Sequence, residues 1–238
     1  MLRRAIGSWR LAVDRVPLAP DDLAARYDRA AAGWGRRLDW SGFSAAYRRL
    51  FSDLVASGSL ADLPAGAWVL DAATGSGALA LALASSVKEV ALRSEPLLVT
   101  ATDRSPAMVR AARAAFDDAG LDAAVCTADV RALPFADGSF DLAMAGHVLE
   151  HLPDPGAAVR ELARVLRPGA PIVLLTTRPG PIGALVHLRW RVRRPSPDDL
   201  REWLRAAGVD SIEVRPLPGL PWTCRATLAC IGRKVGTS

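Results

Sequence analysis

Asp71 ends a short apolar run, Trp68-Val69-Leu70, and leads into Ala72-Ala73-Thr74-Gly75-Ser76-Gly77 and then an almost pure Ala/Leu stretch. A strand end, a small-residue turn and the first turn of a buried helix form a unit that holds a nucleotide-like cofactor at a helix N-terminus. The same residues satisfy a dinucleotide pattern, Gly75-x-Gly77-x-x-Ala80, with Asp103 further on as a ribose ligand. Charge separates the readings. A pyrophosphate over this turn would set like charges close to Asp71, at a cost of roughly 4 kcal/mol for an effective dielectric of 20. A cationic sulfonium and ammonium reverse that sign, and the helix N-terminus still suits an amino-acid carboxylate. S-adenosylmethionine (SAM) carries all three groups.

The elements that must position these residues alternate. Short, largely unalternating apolar runs at 67–72, 97–102, 123–127, 140–146 and 171–177 predict strands covered on both faces. Helices are predicted between them. One runs over 106–119 behind the N-cap Ser105 and stops at Gly120; others run over 155–167 and, behind Ser196, over 197–207. Two tail strands, 211–217 and 223–231, surround a Pro/Gly-rich turn. The expected fold is α/β: a Rossmann-like, mostly parallel seven-stranded sheet with helices on both faces and an antiparallel last strand. Residues 1–60 are expected to form an N-terminal helical cap, because Leu2, Ile6, Trp9, Val13 and Val16, then Leu23, Tyr27, Ala31 and Trp34, recur at helical spacing. Residues 61–238 then form the cofactor domain, with an insertion over 178–195.

Composition bounds the function. The chain has 238 residues, half of them hydrophobic, and a formal net charge of +5. Nearly all the positive charge is arginine, Lys88 and Lys234 being the only lysines, so the charge reads as composition bias rather than a nucleic-acid patch. Cys126, Cys224 and Cys230 form no CxxC pair and suggest no metal site; reduced thiols and a cytoplasmic setting are expected.

Four further segments carry a resemblance. They are Thr102-Asp103-Arg104-Ser105-Pro106-Ala107-Met108; Ala128-Asp129-Val130 with Leu133-Pro134-Phe135 and Asp137-Gly138-Ser139-Phe140-Asp141; His147-Val148-Leu149-Glu150-His151-Leu152; and Arg164-Val165-Leu166-Arg167-Pro168-Gly169. In order after the Asp71–Gly77 turn, they resemble the class I SAM-dependent methyltransferases, in the broad group that includes the menaquinone and ubiquinone C-methyltransferases. Many members have glycine where this chain has Ala73. The resemblance implies that Asp103, with Arg104 beside it, accepts hydrogen bonds from both ribose hydroxyls. It implies that Asp129 accepts from the adenine amino group, with the Val130 amide at a ring nitrogen and Met108 packed on the adenine. Asp71, Ala73, Thr74, Gly75, Ser76 and Gly77 then surround the methionine moiety, and Gly146 lies beside it. His147, just past the fourth strand, is the candidate general base.

Substrate is expected under the N-terminal helices and the 178–195 insertion, with Tyr27, Trp34 and Trp190, and also Trp40, Phe43 and Tyr47, as an aromatic lid. In the insertion Val186, Leu188, Trp190 and Val192 alternate with His187, Arg189, Arg191 and Arg193; with the basic start of the chain this suits transient contact with an anionic membrane surface. The leading expectation is methyl transfer to a small apolar or aromatic acceptor of quinone, polyketide or lipid type. The alternatives are a SAM-binding protein without methyl transfer, serving cyclisation or binding, and an RNA methyltransferase; a nucleotide oxidoreductase comes last on the charge argument. Oligomeric state is not legible. If Asp103 holds the ribose, Asp103→Ala weakens SAM binding by roughly one to three decades. Calorimetric titration reads this, and unchanged affinity would remove Asp103 from the site.

Overall fold

The structure is a computed structural model. It describes residues 2–6, 9–13, 28–29, 31–60, 62–89, 95–182 and 193–236. The described strands are β1 (Leu2–Ile6), β2 (Trp9–Val13), β3 (Trp68–Ala72), β4 (Leu98–Asp103), β5 (Ala123–Thr127), β6 (Leu142–Gly146), β7 (Pro171–Thr177), β8 (Val209–Pro216) and β9 (Thr227–Lys234). The α-helices are α1 (Trp34–Trp40), α2 (Phe43–Ala56), α3 (Ala78–Glu89), α4 (Pro106–Ala119), α5 (Pro155–Val165), α6 (Pro197–Ala206) and α7 (Pro221–Ala226).

Seven strands form one sheet in the order β5-β4-β3-β6-β7-β9-β8. β5, β4, β3, β6 and β7 run parallel, and β9 is antiparallel to both its neighbours. The strand order reverses between β4-β3 and β6, which opens a crevice above the carboxyl ends of β3 and β6.

Period-two alternation divides the core between the two faces of the sheet. Val69, Val99, Ala101, Leu142 and Met144 pack against α2, α3 and α4, with Tyr47, Leu50, Phe51 and Phe116 fully enclosed. Leu70, Ala72, Ala143, Ala145 and Leu174 face the other way, onto α5 and α6. Each large apolar side chain so buried contributes roughly 1.5–3 kcal/mol. Helix α2 therefore shares one core with the sheet. Local signals set the helix ends. Ser105 caps α4 by accepting from Met108 N at 3.1 Å, and Gly120 closes it at φ 64°. Ser196 and Asp199 form a reciprocal capping box on α6.

Two expectations are corrected. Residues 2–6 and 9–13 are not helical: they pair antiparallel, Leu2 opposite Val13 and Ile6 opposite Trp9. Each run is only five residues long, short enough that apolar residues three or four apart do not by themselves set a helix against a paired strand. Residues 223–226 belong to α7 rather than to the final strand, because Pro221 starts a helical turn at its N1 position. Residues 14–27 and most of the 178–195 insertion lie outside the described residues.

Ala73 sits at φ 54°, in the left-handed region that favours glycine. That conformation costs a non-glycine residue roughly 1–2 kcal/mol, against roughly 0.4–1 kcal/mol of chain entropy lost by adding a glycine. Ala73→Gly is therefore expected to raise unfolding stability by about 0.5 kcal/mol, measured by urea denaturation; a stability loss would contradict strain at this turn.

Candidate functional site

β3 carries Asp71 to the crevice floor, where its carboxylate is fully buried. One oxygen, Oδ2, accepts from Thr74 Oγ1 at 2.7 Å and from Ala80 N at 3.2 Å. The other, Oδ1, is buried and has no hydrogen-bond partner among the described residues, and the same holds for Ser76 Oγ. Burial pushes the Asp71 carboxyl up to about 7, against the opposing bonds from Thr74 and Ala80 and with the nearby Asp103 charge adding to the rise. An unpaired buried carboxylate oxygen is costly unless a ligand supplies a donor or a positive charge.

The turn is tied to the neighbouring strand. Thr74 N donates to Thr102 O at 2.8 Å and Gly75 N to Asp103 Oδ2 at 2.9 Å, while Ser105 N donates to Asp103 Oδ1 at 2.9 Å. Burial raises the Asp103 carboxyl above its ordinary range, although those amides oppose it. Gly77 is obligatory: a Cβ there would stand 2.5 Å from the Phe116 ring, so only glycine lets α4 seat beneath the turn. Ala128 N donates to Asp103 O at 3.2 Å, bringing Asp129 and the buried Val130 to the same edge. Asp129 is held by Arg131, Nε to Oδ1 at 3.0 Å and Nη2 to Oδ2 at 2.6 Å, which lowers its carboxyl below the usual range. Met108 is buried and Arg104 is exposed. Above the turn, Trp34 Nε1 lies 3.9 Å from where a Gly75 Cβ would stand, and Ser105 Oγ donates to Asp28. The segment leading into α1 thus covers this end of the crevice.

The second half of the site follows β6. A Cβ on Gly146 would come within 2.8 Å of Leu79 Cδ1, so β6 ends flush against α3. His147 then turns at φ 56°, with its N–H donating to Leu175 O at 2.8 Å. Its Nδ1 lies 3.1 Å from Glu150 Oε1, and its Nε2 lies 3.5 Å from Thr227 Oγ1. Glu150 is itself buried and fixed: the same Oε1 accepts from Thr177 N at 3.0 Å and Thr177 Oγ1 at 2.7 Å, while Oε2 has no partner among the described residues. Burial opposes ionisation of Glu150, but the hydrogen bond and charge of His147, with His151 and Thr177, outweigh it and hold the carboxyl down at about 2.

Aromatic rings wall this end. Phe43 meets His147 edge-on at 5.9 Å, Trp222 edge-on at 4.8 Å, and Tyr47 at 5.8 Å. Burial, with Glu150 and Asp71 adding, pushes the Tyr47 phenol above its ordinary range and keeps it protonated. A histidine polarised by an anchored carboxylate, facing an apolar enclosure, can accept a proton from a bound molecule.

Sequence expectations thus fall into three groups. Asp71 to Gly77 and Asp103 lie together at the ends of β3 and β4, Arg104 and Met108 follow at the start of α4, Asp129 and Val130 follow β5, and Gly146 and His147 stand at the end of β6. Trp34 is beside the Gly75 turn rather than beside His147. Tyr27 and Trp190 lie outside the described residues. Glu150, Thr177, Thr227 and Trp222 were not assigned a role from sequence. His147-x-x-Glu150 spacing carries a signal for the first; the other three arrive through long-range packing.

A family model described as a methyltransferase domain matches residues 70–174. A ubiquinone biosynthesis O-methyltransferase from Xanthomonas axonopodis pv. citri is 32% identical over 181 residues, covering 70% of this chain and 72% of that protein. A demethylmenaquinone methyltransferase from Thermus thermophilus is 40% identical over 116 residues, covering 49% of this chain and 50% of that one. In fold, the chain is similar to the solved structure of a magnesium protoporphyrin IX methyltransferase from Synechocystis with bound SAH, at a TM-score of 0.63 and 19% identity, covering 82% of this chain and 84% of that one. On this similarity of sequence and fold, the chain belongs to the class I SAM-dependent methyltransferases.

Proposed function

We propose that this protein transfers a methyl group from SAM to a small acceptor with an aromatic or otherwise apolar reacting part, of the quinone kind named for its relatives. The observation that carries this reading is the His147–Glu150 pair facing the Phe43, Tyr47 and Trp222 rings beside the Asp71 crevice. In it, Asp71 would lie beneath the cationic end of the cofactor, Ser76 beside its carboxylate, Asp103 at its ribose, and Asp129, Val130 and Met108 at its adenine. SAM supplies a methyl group that is already activated on a sulfonium. The protein's own work is then to orient the acceptor, exclude water and remove a proton.

His147 takes that proton. Glu150, ionised and clamped by Thr177, fixes the Nδ1 side of the ring, so Nε2 is the nitrogen that meets the acceptor; Thr227, at 3.5 Å, is a partner weak enough to give way. The ionised Glu150 also stabilises the imidazolium that results. Tyr47, kept neutral, is a donor for an acceptor oxygen. Trp34 and Asp28 close the cofactor end, which separates their role from that of the acceptor rings.

Two outcomes test this. His147→Gln should lower kcat by roughly two to four decades while leaving SAM affinity nearly unchanged, and Glu150→Gln should lower kcat in the same way by a smaller factor; a His147→Gln enzyme with full turnover on an identified acceptor would remove the base. The second concerns pH. A bound cation favours ionised Asp71, whose carboxyl titrates at about 7 in the free protein. SAM affinity should therefore be complete just above pH 7 and fall by up to about tenfold per unit as pH drops below it. Calorimetry across that range reads the slope, which Asp71→Asn should abolish; a flat wild-type profile would contradict the pairing.

A further inference from the structure

Two exposed apolar side chains stand in the segments that carry Phe43 and Trp222. Trp40, the last residue of α1, is 92% exposed, and Leu220 is 53% exposed. Leu220 reaches the α1–α2 corner that follows Trp40: a Cβ on Gly42 would stand 2.8 Å from Leu220 Cδ1, and one on Gly219 would stand 2.9 Å from Ala46 Cβ. The 219–222 turn is therefore packed on the start of α2. Beneath this lip lie the half-buried Phe43 and Trp222, and then His147. A chain of ring contacts runs from the 219–222 turn through Trp222 and Phe43 to the candidate base.

The charge on the lip is basic. Arg36 and Arg37 are exposed and stand at i, i+4 and i, i+3 from Trp40, so they share its helix face. Arg225, also exposed, follows Leu220 on α7. Among the described residues none of these three arginines is in a salt bridge, and Asp39 is the single acid of α1. An indole ring flanked by guanidinium groups matches the interface of an anionic bilayer, with the ring at headgroup level and the arginines on phosphates. A protein partner would leave the unpaired arginines without an assigned counter-charge; anionic headgroups supply it.

We infer that this lip, formed by Trp40, Leu220, Arg36 and Arg37, docks on the surface of an anionic phospholipid bilayer. Docking stands on the lip alone. Its use, admitting an apolar acceptor from the lipid phase toward His147, rests on the methyl-transfer reading above.

Sedimentation of the full chain with phosphatidylglycerol/phosphatidylcholine vesicles, against pure phosphatidylcholine, tests the docking. Binding is expected on the anionic vesicles and is expected to weaken with salt. Replacing Arg36 and Arg37 by Gln should weaken partition by roughly fivefold per arginine, and Trp40→Ala with Leu220→Ser should reduce it by about tenfold or more. SAM affinity should stay at the wild-type value in each variant, which shows that the fold is retained. Absence of binding to anionic vesicles at low ionic strength would overturn the inference. So would equal binding by the lip variants, or a dimer that Trp40→Ala dissociates, which would give the lip to a second copy. Failure of the unaltered protein to bind SAM would instead defeat the functional reading and leave vesicle binding standing.

Discussion

A buried carboxylate with one satisfied oxygen and one that has no partner among the described residues is the constraint on which the site depends. Asp71 is placed there by the last turns of β3, and its Oδ2 is engaged by Thr74 and by the first turn of α3. Those bonds define the turn's shape, so the residue that needs a cation also builds the loop that receives it. Pairing Thr74 with Thr102 and Gly75 with Asp103 then couples the ends of β3 and β4. These bonds set the spacing between the two acidic positions.

The reacting end is built differently. Its parts come from distant stretches of chain: Phe43 and Tyr47 from α2, His147 and Glu150 from the segment after β6, Thr177 from the end of β7, and Trp222 and Thr227 from α7 and β9. The insertion of β9 between β7 and β8 is what brings Thr227 opposite Thr177 and so to His147. In the proposed reading, cofactor handling sits on the parallel half of the sheet, and acceptor handling sits where that half meets the antiparallel strand and the N-terminal helices. Such a division leaves the acceptor wall free to vary without disturbing the crevice.

Legibility in the sequence follows the same division. The turn after β3, the capped helix α4 and the boundaries of β5 and β7 were readable because their signals are local: Ser105-Pro106 at one end, Gly120 at the other, and short apolar runs between breakers. Asp103 and Asp129 were singled out because the segments that carry them resemble the family's. Trp222 was not, since nothing near it in sequence marks the ring contact with Phe43. Residues 2–13 misled for a physical reason: in runs of five residues, apolar positions three or four apart do not by themselves set a helix against a paired strand. Glu150 stood in a recognised segment, yet its role depends on Thr177 and on its burial, neither of which is local.

The claim at the centre is that positive charge on the methyl donor is held by the open oxygen of Asp71. Carboxyl-carbon NMR titration of the protein with and without SAM, assigned by comparison with Asp71→Asn, measures this directly. The account requires the Asp71 carboxyl to titrate near 7 in the free protein and at clearly lower pH in the complex. An unchanged or higher titration point with SAM bound would contradict it.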